Sequence, residues 1–378
     1  MFDFEPAVSY PVVNDRSLWC LASLSFGWQD RLGRVGEALS NQVLPAPLTA
    51  PTLLEITTMN LHGLELPPGV VSLPSTATFI AFTEGPACDA TGNLYFTDIV
   101  NNRILVLEAG SRYYRVFRQP SGRANGLLFD VEGRLLACEG NEFCPNDGHR
   151  RISRTDLTTG AVEILTDRYD GKRYNAPNDI AACSNGQLFF TDPCYYDRST
   201  MELDHDSVYR IDPDGGVTRV LTQPQIQRPN GIALSPDERI LYVVDSCPTA
   251  GGHRRIWSFD LAGDGTLAHQ RLVFDFAPGR GGDGMCVDSR GTLYIAAGVS
   301  RARSANETNE VPTGVYAIQP DGRLLGCIPI PEDIITNCTW GGQDLKTLYV
   351  TAGKTAYQVE VEVPGWVVHR IPATRKTE

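Results

Sequence analysis

Gly186-Gln187-Leu188-Phe189-Phe190-Thr191-Asp192 decides the reading of this chain. A turn glycine leads into a short apolar and aromatic run that closes on Thr-Asp. Such a run is too short for a helix and is rich in residues that fit a pleated sheet. The pattern returns in Gly92-Asn93-Leu94-Tyr95-Phe96-Thr97-Asp98, Gly133-Arg134-Leu135-Leu136-Ala137-Cys138-Glu139 and Arg239-Ile240-Leu241-Tyr242-Val243-Val244-Asp245. It returns again in Gly291-Thr292-Leu293-Tyr294-Ile295-Ala296-Ala297 and Leu345-Lys346-Thr347-Leu348-Tyr349-Val350-Thr351. These six copies stand roughly 40 to 55 residues apart, the interval of propeller blades.

Each copy has strand-like neighbours. A second apolar run precedes it, as in Gly231-Ile232-Ala233-Leu234 and Gly284-Met285-Cys286-Val287. A third follows in most copies, as in Val208-Tyr209-Arg210-Ile211-Asp212 and Arg255-Ile256-Trp257-Ser258-Phe259-Asp260, and several add a fourth, such as Val217-Thr218-Arg219-Val220-Leu221. Four short strands per unit describe a blade. A β-sandwich array is the structural alternative, but even spacing over roughly three hundred residues favours a closed ring, which leaves no blade face exposed. The expected fold is therefore all-β: a six-bladed β-propeller over residues 76–378, behind an N-terminal extension and linker over residues 1–75. Leu44-Pro45-Ala46-Pro47-Leu48 reads as extended linker, helical periodicity is confined to Leu18 to Leu39, and Thr76 to Phe82 reads as a strand that closes the ring against the last blade.

Composition narrows the function classes. The chain has 378 residues, is 42% hydrophobic and 21% charged, and carries a net charge of −12. That is ordinary for a folded protein and wrong for a nucleic-acid binder, which carries a basic face. The ten cysteines contain no C-x-x-C pair, so buried free thiols are expected rather than a zinc knuckle. The start, Met1-Phe2-Asp3-Phe4-Glu5, lacks the basic and apolar regions of a signal peptide, and no stretch reaches the ~18 apolar residues of a membrane span. A cytoplasmic protein without membrane partners is expected.

Four polar residues fall at or near the start of an innermost strand in different repeats. They are Glu84 in Glu84-Gly85-Pro86, Asn178 in Pro177-Asn178-Asp179, Asn230 in Pro229-Asn230-Gly231, and Asp283 in Gly282-Asp283-Gly284. Each taken singly reads as a turn. In a ring, however, strand starts from several blades converge on one mouth of the central channel. Two carboxylates and two amide oxygens make a hard ligand set that suits calcium; magnesium or manganese could replace it, and zinc prefers His or Cys.

With Glu84-Gly85-Pro86, Pro229-Asn230-Gly231 with Ser235-Pro236-Asp237, Gly282-Asp283-Gly284, and Arg173-Tyr174-Asn175-Ala176-Pro177-Asn178-Asp179 through Phe189-Phe190-Thr191-Asp192-Pro193, the chain resembles the senescence-marker-protein-30/gluconolactonase family over roughly residues 80 to 360. The resemblance implies a catalytic divalent cation and hydrolysis of a small-molecule lactone or similar ester. It implies metal ligation by Glu84, Asn230 and Asp283, ligation or substrate binding by Asn178, and a general-base role for Asp283. Three departures bear on the substrate. Ala87-Cys88 follows the Glu84 motif where an aromatic is common, Ala176 stands where some members use Arg, and an insertion spans Cys138-Glu139-Gly140 to His149-Arg150-Arg151. Glu139 and His149, at its edges, and Glu142 within it are candidate substrate contacts.

Two other classes compete. A noncatalytic propeller would serve as a binding module, since fold does not fix function. An esterase or phosphotriesterase could use the same metal. No G-x-S-x-G elbow and no H-E-x-x-H pair occurs, which disfavours a serine hydrolase and a zincin.

Overall fold

A computed structural model describes residues 80–143, 147–302 and 304–369. The expected extension over 1–75, the helical stretch within it and Thr76 to Phe79 of the expected closing strand lie outside these residues.

Six antiparallel blades follow one another along the chain. Their innermost strands are Thr83–Cys88, Ala124–Phe129, Ile180–Ala182, Pro229–Leu234, Gly282–Val287 and Ile335–Gly341. The second strands are the six sequence repeats: Leu94–Asp98, Leu135–Glu139, Leu188–Asp192, Ile240–Ser246, Leu293–Ala297 and Thr347–Ala352. Five blades have four strands and the last has three among the described residues. The buried clusters lie between blades. Tyr95 meets Phe129 across blades 1 and 2, and Val244 meets Met285 in the cluster across blades 4 and 5. Apolar burial thus joins each blade to the next.

The Thr-Asp ending of the repeat has a physical cause. Its threonine reaches the neighbouring blade: Thr97 Oγ1 donates to the Asn125 carbonyl at 3.0 Å, and Thr191 Oγ1 to the Asn230 carbonyl at 2.7 Å. Its aspartate stays in its own blade and accepts backbone N–H groups from the incoming loop. Asp192 takes Asn175 and Ala176 at 2.9 and 2.8 Å, and Asp245 takes Arg228 at 2.7 Å. Asp98, Asp192 and Asp245 are completely buried, so these bonds satisfy groups that water cannot reach. Asp245→Ala, which also strips acceptors from His253 and Trp257, is expected to cost about 2–3 kcal/mol. A fall in the urea midpoint checks it.

Ring closure differs from the expectation. Ile80–Phe82 is not strand, and closure begins one residue later, at Thr83. Its N–H donates to the Gly353 carbonyl at 2.8 Å, and its own carbonyl accepts from Thr336 Oγ1 at 2.8 Å. Thr83 already belongs to the innermost strand of blade 1, so among the described residues the first blade is joined to the last through Thr83.

The segment after blade 6 turns back across the ring. Trp366 donates its N–H to the Val287 carbonyl at 3.0 Å, and Gly365 bridges Asp288. Trp366 packs on the core between blades 3 and 4, Val367 on that between blades 5 and 6, and Val368 on that between blades 2 and 3. His369 stacks edge-on against Phe129, between blades 1 and 2. Trp366, Val367 and Val368 therefore floor an axial cavity of about 80 Å³ that all six innermost strands line.

Among the described residues, eight cysteines are free and six of these are buried, in keeping with the expectation of unpaired thiols. No described helix is long and apolar enough to cross a membrane.

Candidate metal centre at the channel mouth

Register against the second strands places Glu84, Asn125, Asn178, Asn230, Asp283 and Thr336 at one equivalent position in successive blades. Five of the six carry a carboxylate or an amide. The next residue is glycine in four blades, at Gly85, Gly126, Gly231 and Gly284, but Asp179 and Asn337 in the other two. Gly126 and Gly284 make room for those side chains, and Gly85 and Gly231 let the backbone of the next blade approach. A Cβ on Gly126 would stand 2.6 Å from Asp179 Oδ1, and one on Gly284 would fall inside the Asn337 amide.

The four residues read from sequence as metal ligands are all buried. Glu84 and Asp283 are close enough to repel: burial and the Asp283 charge push the Glu84 carboxyl well above the usual carboxylate range. The Asn178 amide lies near enough to Glu142, and the Asn230 amide near enough to Tyr195, to favour their charged forms. An amide offers a cation its oxygen, not its nitrogen.

Six further residues complete the site. Asn125 Nδ2 lies 3.5 Å from Glu142 Oε2. Burial and Asp283 push Glu142 up to about 7. Burial also pushes Asp179 up to about 7, against hydrogen bonds that include one from Asn337. Tyr195 is raised by burial and by Asp283. Arg280 donates Nη2 to Asp283 Oδ2 and Nη1 to the Ile335 carbonyl at 3.0 Å. Of these, Asn125 carried a visible signal, because Ala124-Asn125-Gly126 repeats the Asn-Gly of blade 4.

Glu142 arrives from the insertion. Its loop is held where Arg123 binds Asp147 at 2.7 Å and where Arg150 N–H donates to the Gly140 carbonyl at 3.3 Å. Phe143 then packs on Phe82 at 5.0 Å and on Tyr196 at 6.1 Å, which gives the mouth an aromatic edge.

Of the candidate substrate contacts, Asn178 and Glu142 lie at this site, and the structure places Glu139 and His149 elsewhere in blade 2. Glu139 ends its second strand, in the position of Asp98, Asp192 and Asp245. Arg118, Arg151, Ser153 and His149 all bind its carboxylate. Burial opposes its charge, but Arg118 and the other partners outweigh burial and hold Glu139 below the usual range. Of this pair only His149 reaches solvent, at 41% side-chain exposure against 1% for Glu139. Among the described residues, no three His, Cys, Asp or Glu side chains form a ready metal cage. The converging set depends instead on amides, and Arg280 holds one oxygen of Asp283.

A closed six-bladed ring with acids and amides converging at one end of its axis defines a propeller equipped for polar chemistry, not a bare scaffold. The chain belongs to the SMP-30/gluconolactonase/LRE-like family, whose model matches residues 82–354. It is 31% identical over 311 residues to a gluconolactonase of Zymomonas mobilis, covering 76% of this chain and 81% of that one. The solved structure of a gluconolactonase from Xanthomonas campestris is 32% identical, with a TM-score of 0.61 over 76% of this chain and 86% of that one. Regucalcin from Oryctolagus cuniculus is 28% identical over 274 residues, covering 70% of this chain and 81% of that one.

Proposed function

We propose that this protein is a metal-dependent lactonase that opens a sugar lactone or a related lactone or ester at the channel mouth. The observation that carries the reading is the convergence of Glu84 and Asp283 with Asn178, Asn230, Glu142 and Tyr195, in a chain similar to gluconolactonases. Glu84, Asn178, Asn230 and Asp283 would hold the cation, with calcium the expected ion. The donors fit it: all are hard oxygens, and the Glu84, Glu142 and Asp179 carboxyls, raised by burial and then by neighbouring negative charge, would be eased by a divalent ion.

A bound cation supplies electrophilic polarisation of the lactone carbonyl and lowers the cost of charge on its oxygen. Asp283 orients a water and takes its proton as the water oxygen bonds to the carbonyl carbon. It returns that proton to the ring oxygen as the ring C–O bond breaks, so that lactone and water become one hydroxy acid. Burial of the site fixes the water beside both carboxylate and carbonyl, where proximity does most for the rate. Tyr195, beside Asn230, lies near enough to Asp283 to feel its charge and contributes a hydroxyl at that edge. The Phe82, Phe143 and Tyr196 edge offers flat apolar surface for the substrate's carbon face.

Chelation tests the proposal. A panel of sugar and aliphatic lactones should be hydrolysed by the full chain, lose at least ~100-fold in rate with EDTA, and recover on adding calcium. Manganese and zinc give the comparison. Full activity in EDTA would refute the metal, and inactivity on every lactone before chelation would refute the substrate class.

A further inference from the structure

We infer that Arg280 is a tethered cation that competes with the metal for Asp283, and so makes metal binding in this chain weak and reversible. The inference rests on the metal-centre reading. Arg280 stands three residues before Asp283 in Gly279-Arg280-Gly281-Gly282-Asp283. Its guanidinium gives Nη2 to Asp283 Oδ2 and Nη1 to the Ile335 carbonyl of the neighbouring blade. It therefore spans two innermost strands at the end of the channel where the acids gather.

The backbone on both sides of Arg280 is closely packed. A Cβ on Gly281 would lie 2.8 Å from Ser246 Oγ, and one on Gly279 would collide with Val311. Gly279 also bridges Thr308. The two hydrogen bonds of the guanidinium therefore start from a backbone that is held in place. The side chain is 15% exposed, so water screens its charge poorly. Glu84 and Glu307 join Asp283 in favouring that charge.

A positive charge already on a ligand oxygen opposes a second one electrostatically and occupies its coordination site. The cation must displace Nη2 from Asp283 or bind beside a like charge. Without Arg280 the four carboxylates Glu84, Glu142, Asp179 and Asp283 would form a deeper well for calcium. With it, Asp283 keeps the Arg280 guanidinium as a partner when the metal leaves.

The test is calorimetric calcium titration of the chelator-treated full chain and of Arg280→Met, which keeps the length of the side chain and removes its charge. Thermal melts accompany it with EDTA and with calcium. Arg280→Met is expected to bind calcium at least tenfold more tightly, to melt lower in EDTA, and to gain more from calcium than the parent. Arg280→Lys keeps a point charge that cannot span both acceptors; it is expected to bind about threefold more tightly and guards against misfolding of the Met variant. Equal or weaker binding by both variants, each folded with calcium present, would overturn the inference and make Arg280 a support of the site. If neither the parent nor the variants bind calcium, the metal-centre reading itself falls.

Discussion

Asparagine in place of Asp283 is expected to lower kcat by at least about a thousandfold, with the propeller still folded. The change is nearly isosteric, so the position between Gly282 and Gly284 stays filled. What disappears is the basic oxygen that takes the proton and the negative charge that would help bind the cation. Arg280 would also lose its anionic partner and be left beside a neutral amide. Steady-state kinetics on the best lactone, with a melt to establish folding, measures this. Activity within tenfold of the parent would remove Asp283 as the base, whatever its place in the metal shell.

Trp340→Ala is expected to be the most damaging single truncation for stability, at about 3–5 kcal/mol. Trp340 is 1% exposed, and its Nε1 donates to the Val287 carbonyl at 2.7 Å. Its ring meets Tyr294 edge-on at 4.9 Å, which locks blade 6 to blade 5. Gly365 lies so close over the indole that no side chain fits there. Truncation would therefore leave a hole, remove one of the two donors to the Val287 carbonyl and undercut the C-terminal segment together. At the size of this domain the melting temperature should fall by about 5–8 °C. A fall below 2 °C would mean that the neighbours collapse into the space.

The ring was legible because its signal is local and repeated. Second strands such as Leu188–Asp192 are buried along their whole length and end on a residue with a fixed bonding duty. The ring of inner polar residues was legible for the same reason: Asn230 and Asp283 recur at one register. Asn125 obeys that rule too and was overlooked, although its Asn-Gly stands in the open. Glu142 and Tyr195 lie outside any repeat. Their places depend on loop anchors such as Arg123 to Asp147, which join residues 24 apart with no periodic signature. Glu139 illustrates the reverse. Its alignment with Asp192 already gave it the position of a blade-internal brace, while its place beside an insertion suggested chemistry.

The floor of the channel has a consequence for how the molecule comes apart. Open arrays of stacked units fray from their ends, because each end unit has a single neighbour. Here Trp366 to His369 touch four of the joints between units in a span of four residues. No sheet can peel away while that latch holds, so loosening should be all-or-none over the wheel. A protease that cut before Pro364 would weaken several joints at once rather than trim an end.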